Sequence, residues 1–149
     1  MLTMELNVRR VTEVTDSLTE AFARLMPQLA PQLAAPPAAR LREIVASPGT
    51  ALFAAEGGGR IWGLLTLVWY DVASGRKAWI EDVVVDAEAR GTGAGRALVA
   101  AALEHAGAIG AGKVLLTSNP AREAARALYR KMGFEEAATT VFAIKTDAK

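Results

Sequence analysis

The segment Trp79–Arg96 reads WIEDVVVDAEARGTGAGR and gathers residue types from which an anion cradle and acid–base chemistry could be built. Within it, Arg90-Gly91-Thr92-Gly93-Ala94-Gly95 opens a helical stretch. Glycines at the start of a helix let the backbone approach an anion, while unpaired N–H groups and the positive end of the helix dipole favour phosphate. The dinucleotide fingerprint G-x-G-x-x-G is out of register, because Gly91 and Gly93 would require a glycine where Arg96 stands. A P-loop is excluded as well, since no Gly-Lys-Ser/Thr follows. The pattern Arg-x-x-Gly-x-Gly does fit Arg90, Gly93 and Gly95. On the glycines alone, two readings stand open: a phosphate cradle, or a loop that only caps a helix.

Glu81-Asp82 is the acidic pair nearest that turn, directly ahead of Val83-Val84-Val85. Adjacent residues of a strand face opposite ways, so one of the two carboxylates could point at a bound ligand. Tyr129 sits at the edge of an apolar helical stripe, where its ring can pack inward while its hydroxyl stays available. The chain has no Cys and a single His, His105, which removes thiol nucleophiles, Cys/His zinc sites and disulfides. His105 lies in a helical stretch with no carboxylate partner placed for a triad and reads as structural. Chemistry must therefore rest on carboxylates, Tyr, Lys, Arg and backbone donors, and no metal is expected. Trp62, Trp69 and Tyr70 fall on strands and read as core or interface, with Tyr70-Asp71 placed to border an acceptor site.

These residues need a frame to hold them. Residues 5–11 alternate as a short strand, and Thr15-Asp16-Ser17 supplies N-cap chemistry for a helix over Leu18–Met26. Pro27, Pro31 and Pro36-Pro37 break the following stretch before a second helix through Arg40–Ala46. Thr50–Glu56 and Arg60–Asp71 flank Gly57-Gly58-Gly59 as a hairpin, and Trp79–Val85 adds a third antiparallel strand. Helical propensity then runs from about Gly93 to Ile109, a short strand covers Lys113–Thr117, and an amphipathic helix covers Pro120–Met132. Glu136–Lys145 reads as a final strand or hairpin. The sum is a mixed α/β (α+β) arrangement, and its 149 residues suit one domain.

In this order the motifs resemble the GCN5-related N-acetyltransferase (GNAT) superfamily. The likeness is carried by Ile80–Val85, the Arg90/Gly93/Gly95 turn, the Leu98 helix, Thr117-Ser118-Asn119, and Ala127-Leu128-Tyr129-Arg130-Lys131-Met132-Gly133-Phe134. It implies a mixed, mostly antiparallel sheet of about six to seven strands flanked by about four helices. It further implies acetyl-CoA as co-substrate, held by the backbone of Val83, Val84 and Val85, by the amides of Gly91, Thr92, Gly93, Ala94, Gly95 and Arg96, and by the charges of Arg90 and Arg96. Asn119 corresponds to a family residue that bonds the cofactor arm, although Asn119-Pro120 is equally a good start for a helix. By the same resemblance Glu81 is the general base, Asp82 orients the acceptor and Tyr129 is the general acid. The implied activity is transfer of an acetyl group to a primary amine of a small molecule or peptide by direct attack in a ternary complex. The alternative is a non-catalytic acyl-CoA-binding regulatory module of the same fold.

Composition bounds what else the chain could do. Apolar residues make up 52% and charged residues 22%, which describes a folded chain and not a disordered one. Lys plus Arg number 17 against 16 for Asp plus Glu, so the excess basic charge that drives nucleic-acid binding is missing. The segment MLTMELNVRR lacks a signal-peptide core, and no apolar run reaches the roughly 18 residues needed to span a bilayer. A cytoplasmic protein with no membrane or nucleic-acid partner is expected, and the resemblance adds a homodimer.

Overall fold

The computed structural model describes residues 5–148. These divide into two compact units, one ending at Thr117 and one beginning at Ser118.

The first unit is a five-stranded sheet in the order β1 (Asn7–Arg10), β2 (Thr50–Gly57), β3 (Arg60–Val72), β4 (Gly75–Val85), β5 (Lys113–Leu115). The first three pairings are antiparallel and β5 runs parallel to β4. The β2–β3 turn is the expected glycine hairpin, closing on Gly58-Gly59. Helices α1 (Asp16–Leu29) and α2 (Ala38–Ala46) connect β1 to β2, and α3 (Ala94–Ala108) connects β4 to β5. Thr15 caps α1, its Oγ1 accepting from the Leu18 N–H at 3.2 Å. Leu18, Ala21, Phe22 and Leu25 then recur at helical spacing and are all buried.

The sheet is covered on both faces, which explains the nearly unbroken apolar run of β3. Leu52, Ala54, Leu64 and Val84 point to one face and form a core with α1 and with Leu41 of α2. Phe53, Leu65, Leu67, Ala78 and Ile80 alternate to the other face, and each is at most 6% exposed. On that face α3 packs on β2, β3 and β4 through Leu98, Val99, Ala102 and Ala106. Gly63 makes this approach close. A Cβ there would lie 2.9 Å from Leu98 Cδ1 and 3.1 Å from the Val84 carbonyl oxygen.

Three sequence expectations change. Pro27 does not end α1 but sits in its last turn, where the carbonyl it deprives of a donor is that of Ala23. The helix expected over Pro120–Met132 is α4 (Glu123–Lys131), which starts later because residues 119–122 close a turn of their own. Residues 136–145 form no strand, so the described residues hold five strands and not six to seven. Val141, Phe142 and Ile144 are 64%, 92% and 90% exposed. Apolar, β-branched residues supply strand propensity, but a strand exists only where a neighbour takes its N–H and C=O groups.

Candidate active site

The site in the first unit grows from the end of β4. Between Glu81, which pairs with Thr66, and Val84, which pairs with Leu64, two residues of β4 oppose the single Leu65. This is a β-bulge, and its extra residue is Asp82, whose φ of +49° makes it the one non-glycine residue with positive φ among those described. Asp tolerates the left-handed region better than most residues because its short side chain can bond locally. A stability comparison reads this strain: Asp82→Ala should be about 1 kcal/mol less stable than Asp82→Gly in denaturant unfolding. Equal stabilities would remove the bulge strain from the account.

The bulge decides where the acids point. Glu81 shares the face of Thr66 and Leu64, toward the α1/α2 side, and remains solvent-accessible. Partial desolvation pushes its carboxyl above the ordinary glutamate value, and the negative charge of Asp82 beside it adds to the shift. Val84 is 3% exposed and spends its side chain on the core. β5 pairs with β4 only over Lys77–Trp79, so the outward backbone edge of Ile80–Val85 has no strand partner among the described residues. An edge of this kind can bond an extended ligand arm.

Beyond β4 the chain makes a single 3₁₀ turn, Ala87–Ala89, and enters α3 through Gly91 (φ +80°) and Gly93 (φ +89°). Gly93 is the N-cap residue and contributes no side-chain bond. The first helical bond runs from the Ala97 N–H to the Gly93 carbonyl at 3.0 Å, so the N–H groups of Ala94, Gly95 and Arg96 precede the ladder. Nothing lies within 4 Å of where a Cβ on Gly91 or Gly93 would stand. Open approach, unpaired amides and the positive end of a 15-residue helix fit a diphosphate. Arg90 and Arg96 are exposed at this mouth. Thr92 turns away from it, its hydroxyl donating to the Ala89 carbonyl at 2.5 Å.

What holds the loop in place escaped the sequence reading. Asp86, 3% exposed, directly follows β4, with its N–H on the Trp62 carbonyl at 2.8 Å and its carboxylate paired with Arg24 of α1. Arg24 also donates to the Ile61 carbonyl at 2.7 Å and to Glu20 at 3.0 Å. The Asp86 carboxylate accepts from the Glu88 N–H at 3.0 Å, which shapes the 3₁₀ turn. Burial works against its ionisation, yet the Glu88 amide and the Arg24 guanidinium outweigh it and hold the pKa below the ordinary aspartate value. The available signal was an Asp placed directly after three valines that read as core. His105, in the last turn of α3, lies against Phe53 and Trp69 at ring separations of 5.8 and 5.3 Å, a packing position.

In the second unit, Asn119 accepts from the Ala121 N–H at 2.9 Å, closing a turn four residues ahead of α4 instead of capping the helix directly. Tyr129 lies on α4 with its ring edge-to-face on Phe134 at 5.9 Å. Burial pushes its phenol above the usual value, with Arg122 opposing weakly, so it carries its proton at neutral pH.

Residues 13–134 match the model of the acetyltransferase (GNAT) family. The chain belongs to the GNAT acetyltransferase family. Its fold is accordingly that of solved GNAT structures. A putative acetyltransferase from Agrobacterium tumefaciens str. C58 is 26% identical, with 94% of this chain and 99% of that one covered and a TM-score of 0.81. A transcriptional regulator from Bacillus halodurans C-125 is 25% identical over 95% of this chain and 100% of that one, at a TM-score of 0.79. The aminoglycoside N-acetyltransferase AAC(6')-Iy in complex with CoA shares the fold at 20% identity, with 95% of each chain covered and a TM-score of 0.76. No curated protein matches the sequence significantly. Among the described residues no helix is long and apolar enough to cross a membrane.

Proposed function

We propose that this GNAT protein transfers the acetyl group of acetyl-CoA to a primary amine by direct attack. The observation that carries the reading is the free amide cluster of Ala94, Gly95 and Arg96 behind a left-handed Gly93, at the end of a bulged β4 with an unpaired edge. The amides of Gly91, Gly93, Ala94, Gly95 and Arg96 take the pyrophosphate, while the Thr92 N–H is held by the Ala89 carbonyl at 3.3 Å; Arg90 and Arg96 add charge, and the β4 backbone at Val83–Val85 takes the pantetheine arm. Asn119 is assigned a contact to that arm on resemblance alone.

In the transfer the amine nitrogen attacks the acetyl carbonyl carbon, the C–S bond breaks, CoA leaves as thiolate, and the nitrogen gives up its remaining extra proton to solvent as the amide forms. The amine must first be neutral, so Glu81 removes its proton, directly or through water, and the desolvation that raises its pKa above the ordinary glutamate value makes it a stronger base. Asp82 orients the acceptor, and Tyr129 returns a proton to the thiolate. The likeness to a transcriptional regulator keeps a second reading in view, a module that binds acyl-CoA without turning it over. Thiol release from acetyl-CoA across a panel of amines separates the two. Amine-dependent release well above the hydrolytic background is expected, and tight binding with background release throughout would establish the module instead.

A further inference from the structure

The face of the sheet that carries Glu81 is not uniform along β4. From Gly75 to Glu81 the pairing with β3 is regular, so Lys77, Trp79 and Glu81 project to one side. Near Val84 that face is buried under α1, but farther out Thr66, Val68 and Trp79 are only half-buried and Tyr70 is 43% exposed. Trp79 donates its indole N–H to the Tyr70 hydroxyl at 2.9 Å, which fixes the two rings as a diagonal pair on this strip. At the outer end Lys77 stands in register with Lys113 of β5, so two lysines of like charge start from neighbouring backbone positions on this face. Neither lysine has a carboxylate partner among the described residues, while the nearby Arg76–Asp71 pair alternates to the opposite face. One strip thus runs from a carboxylate, across an aromatic and apolar floor, to a pair of ammonium groups, over about 13 Å of strand.

Like charges placed directly alongside each other on a sheet are unfavourable until an anion sits between them. We propose that this strip receives the acceptor, and that the acceptor is an amphoteric amine. Its amino group meets Glu81, its apolar or aromatic middle lies on Trp79, and a carboxylate or phosphate is held by Lys77 and Lys113. The inference rests on the acetyl-transfer reading above and narrows its substrate class. Polycations such as aminoglycosides and polyamines put positive charge where the lysines stand and are poor fits.

The test compares initial rates of thiol release for the tripeptide Gly-Phe-Gly as free acid, the same peptide as its C-terminal amide, spermidine and an aminoglycoside. An extended tripeptide places its carboxylate about 10 Å from its amine, within reach of a lysine side chain. The free acid should exceed the amide and both polycations in kcat/KM by about tenfold, and the Lys77→Gln/Lys113→Gln variant should erase that preference. Acetyl-CoA binding, measured separately by calorimetry, reports on the fold of the variant. If the amide or a polycation is acetylated as well as the acid, or if the preference survives in the variant, the inference is overturned and acetyl transfer stands. If none of the four is acetylated above background while acetyl-CoA binds, the acetyl-transfer reading falls and takes the inference with it.

Discussion

Glu81→Gln is expected to lower kcat about 100- to 10,000-fold while acetyl-CoA affinity stays at the wild-type level, the range lost when a positioned proton acceptor is removed. The side chain is accessible on the strip beside the bulge, and the substitution keeps its volume and removes only its capacity to accept a proton. The sign of the pH effect follows from the raised pKa. Wild-type activity should fall as pH drops through a value above the ordinary 4.5, because the base is then already protonated. The glutamine variant should lack that acidic limb. Tyr129→Phe should act at the other end of the profile, removing an alkaline limb that lies above 10 in the wild type. Steady-state kinetics across pH checks both, and a glutamine variant with wild-type kcat would take Glu81 out of the chemistry.

The second large effect is on stability. Arg24→Met fills much of the same space but leaves the Asp86 carboxylate, 3% exposed, without its counter-ion, and removes the Arg24 donor from the Ile61 carbonyl. Breaking a buried ion pair by removing one partner costs about 3–5 kcal/mol, and chemical denaturation at neutral pH should show a loss of that size. The pH dependence distinguishes this cause from simple loss of packing. In the wild type the Asp86 pKa lies below the ordinary 3.8, so its contribution is fully present above that value and is lost as pH falls through the lowered one. In the variant the carboxylate has lost its cation, so its pKa lies above the wild-type one and acid relieves the penalty. The gap between the two proteins should narrow as pH falls from the variant's Asp86 pKa toward the lower wild-type one. A gap independent of pH would mean that Arg24 contributes only packing.

How much of this was readable beforehand depended on how local the cause was. The glycine hairpin, the Thr15 cap, the period of α1 and the Arg90–Arg96 turn are set by neighbours within a few residues, and each stands where the sequence placed it. The bulge was half visible. Glu81 and Asp82 break the in-and-out alternation of β4 with two polar residues in a row, but only the pairing with β3 identifies Asp82 as the extra residue. The Arg24–Asp86 pair was invisible because it joins α1 to the exit of β4 across 62 positions. The shorter α4 reflects a contest that periodicity does not register, in which the Asn119 side chain closes a turn first. Residues 136–145 carry strand propensity with no ladder to join. The lysine pair at Lys77 and Lys113 likewise emerges only from the parallel register of β5.

The free amides at the start of α3 are proposed to receive the diphosphate of acetyl-CoA. Calorimetric titration of acetyl-CoA into the wild type and into Gly93→Val, both verified as folded by circular dichroism, tests it directly. Valine at φ +89° strains the turn and crowds the open approach, so saturable micromolar binding in the wild type should weaken at least about tenfold in the variant. Folded wild-type protein that shows no saturable binding up to about 1 mM, or a folded variant that binds as tightly as the wild type, would contradict the account.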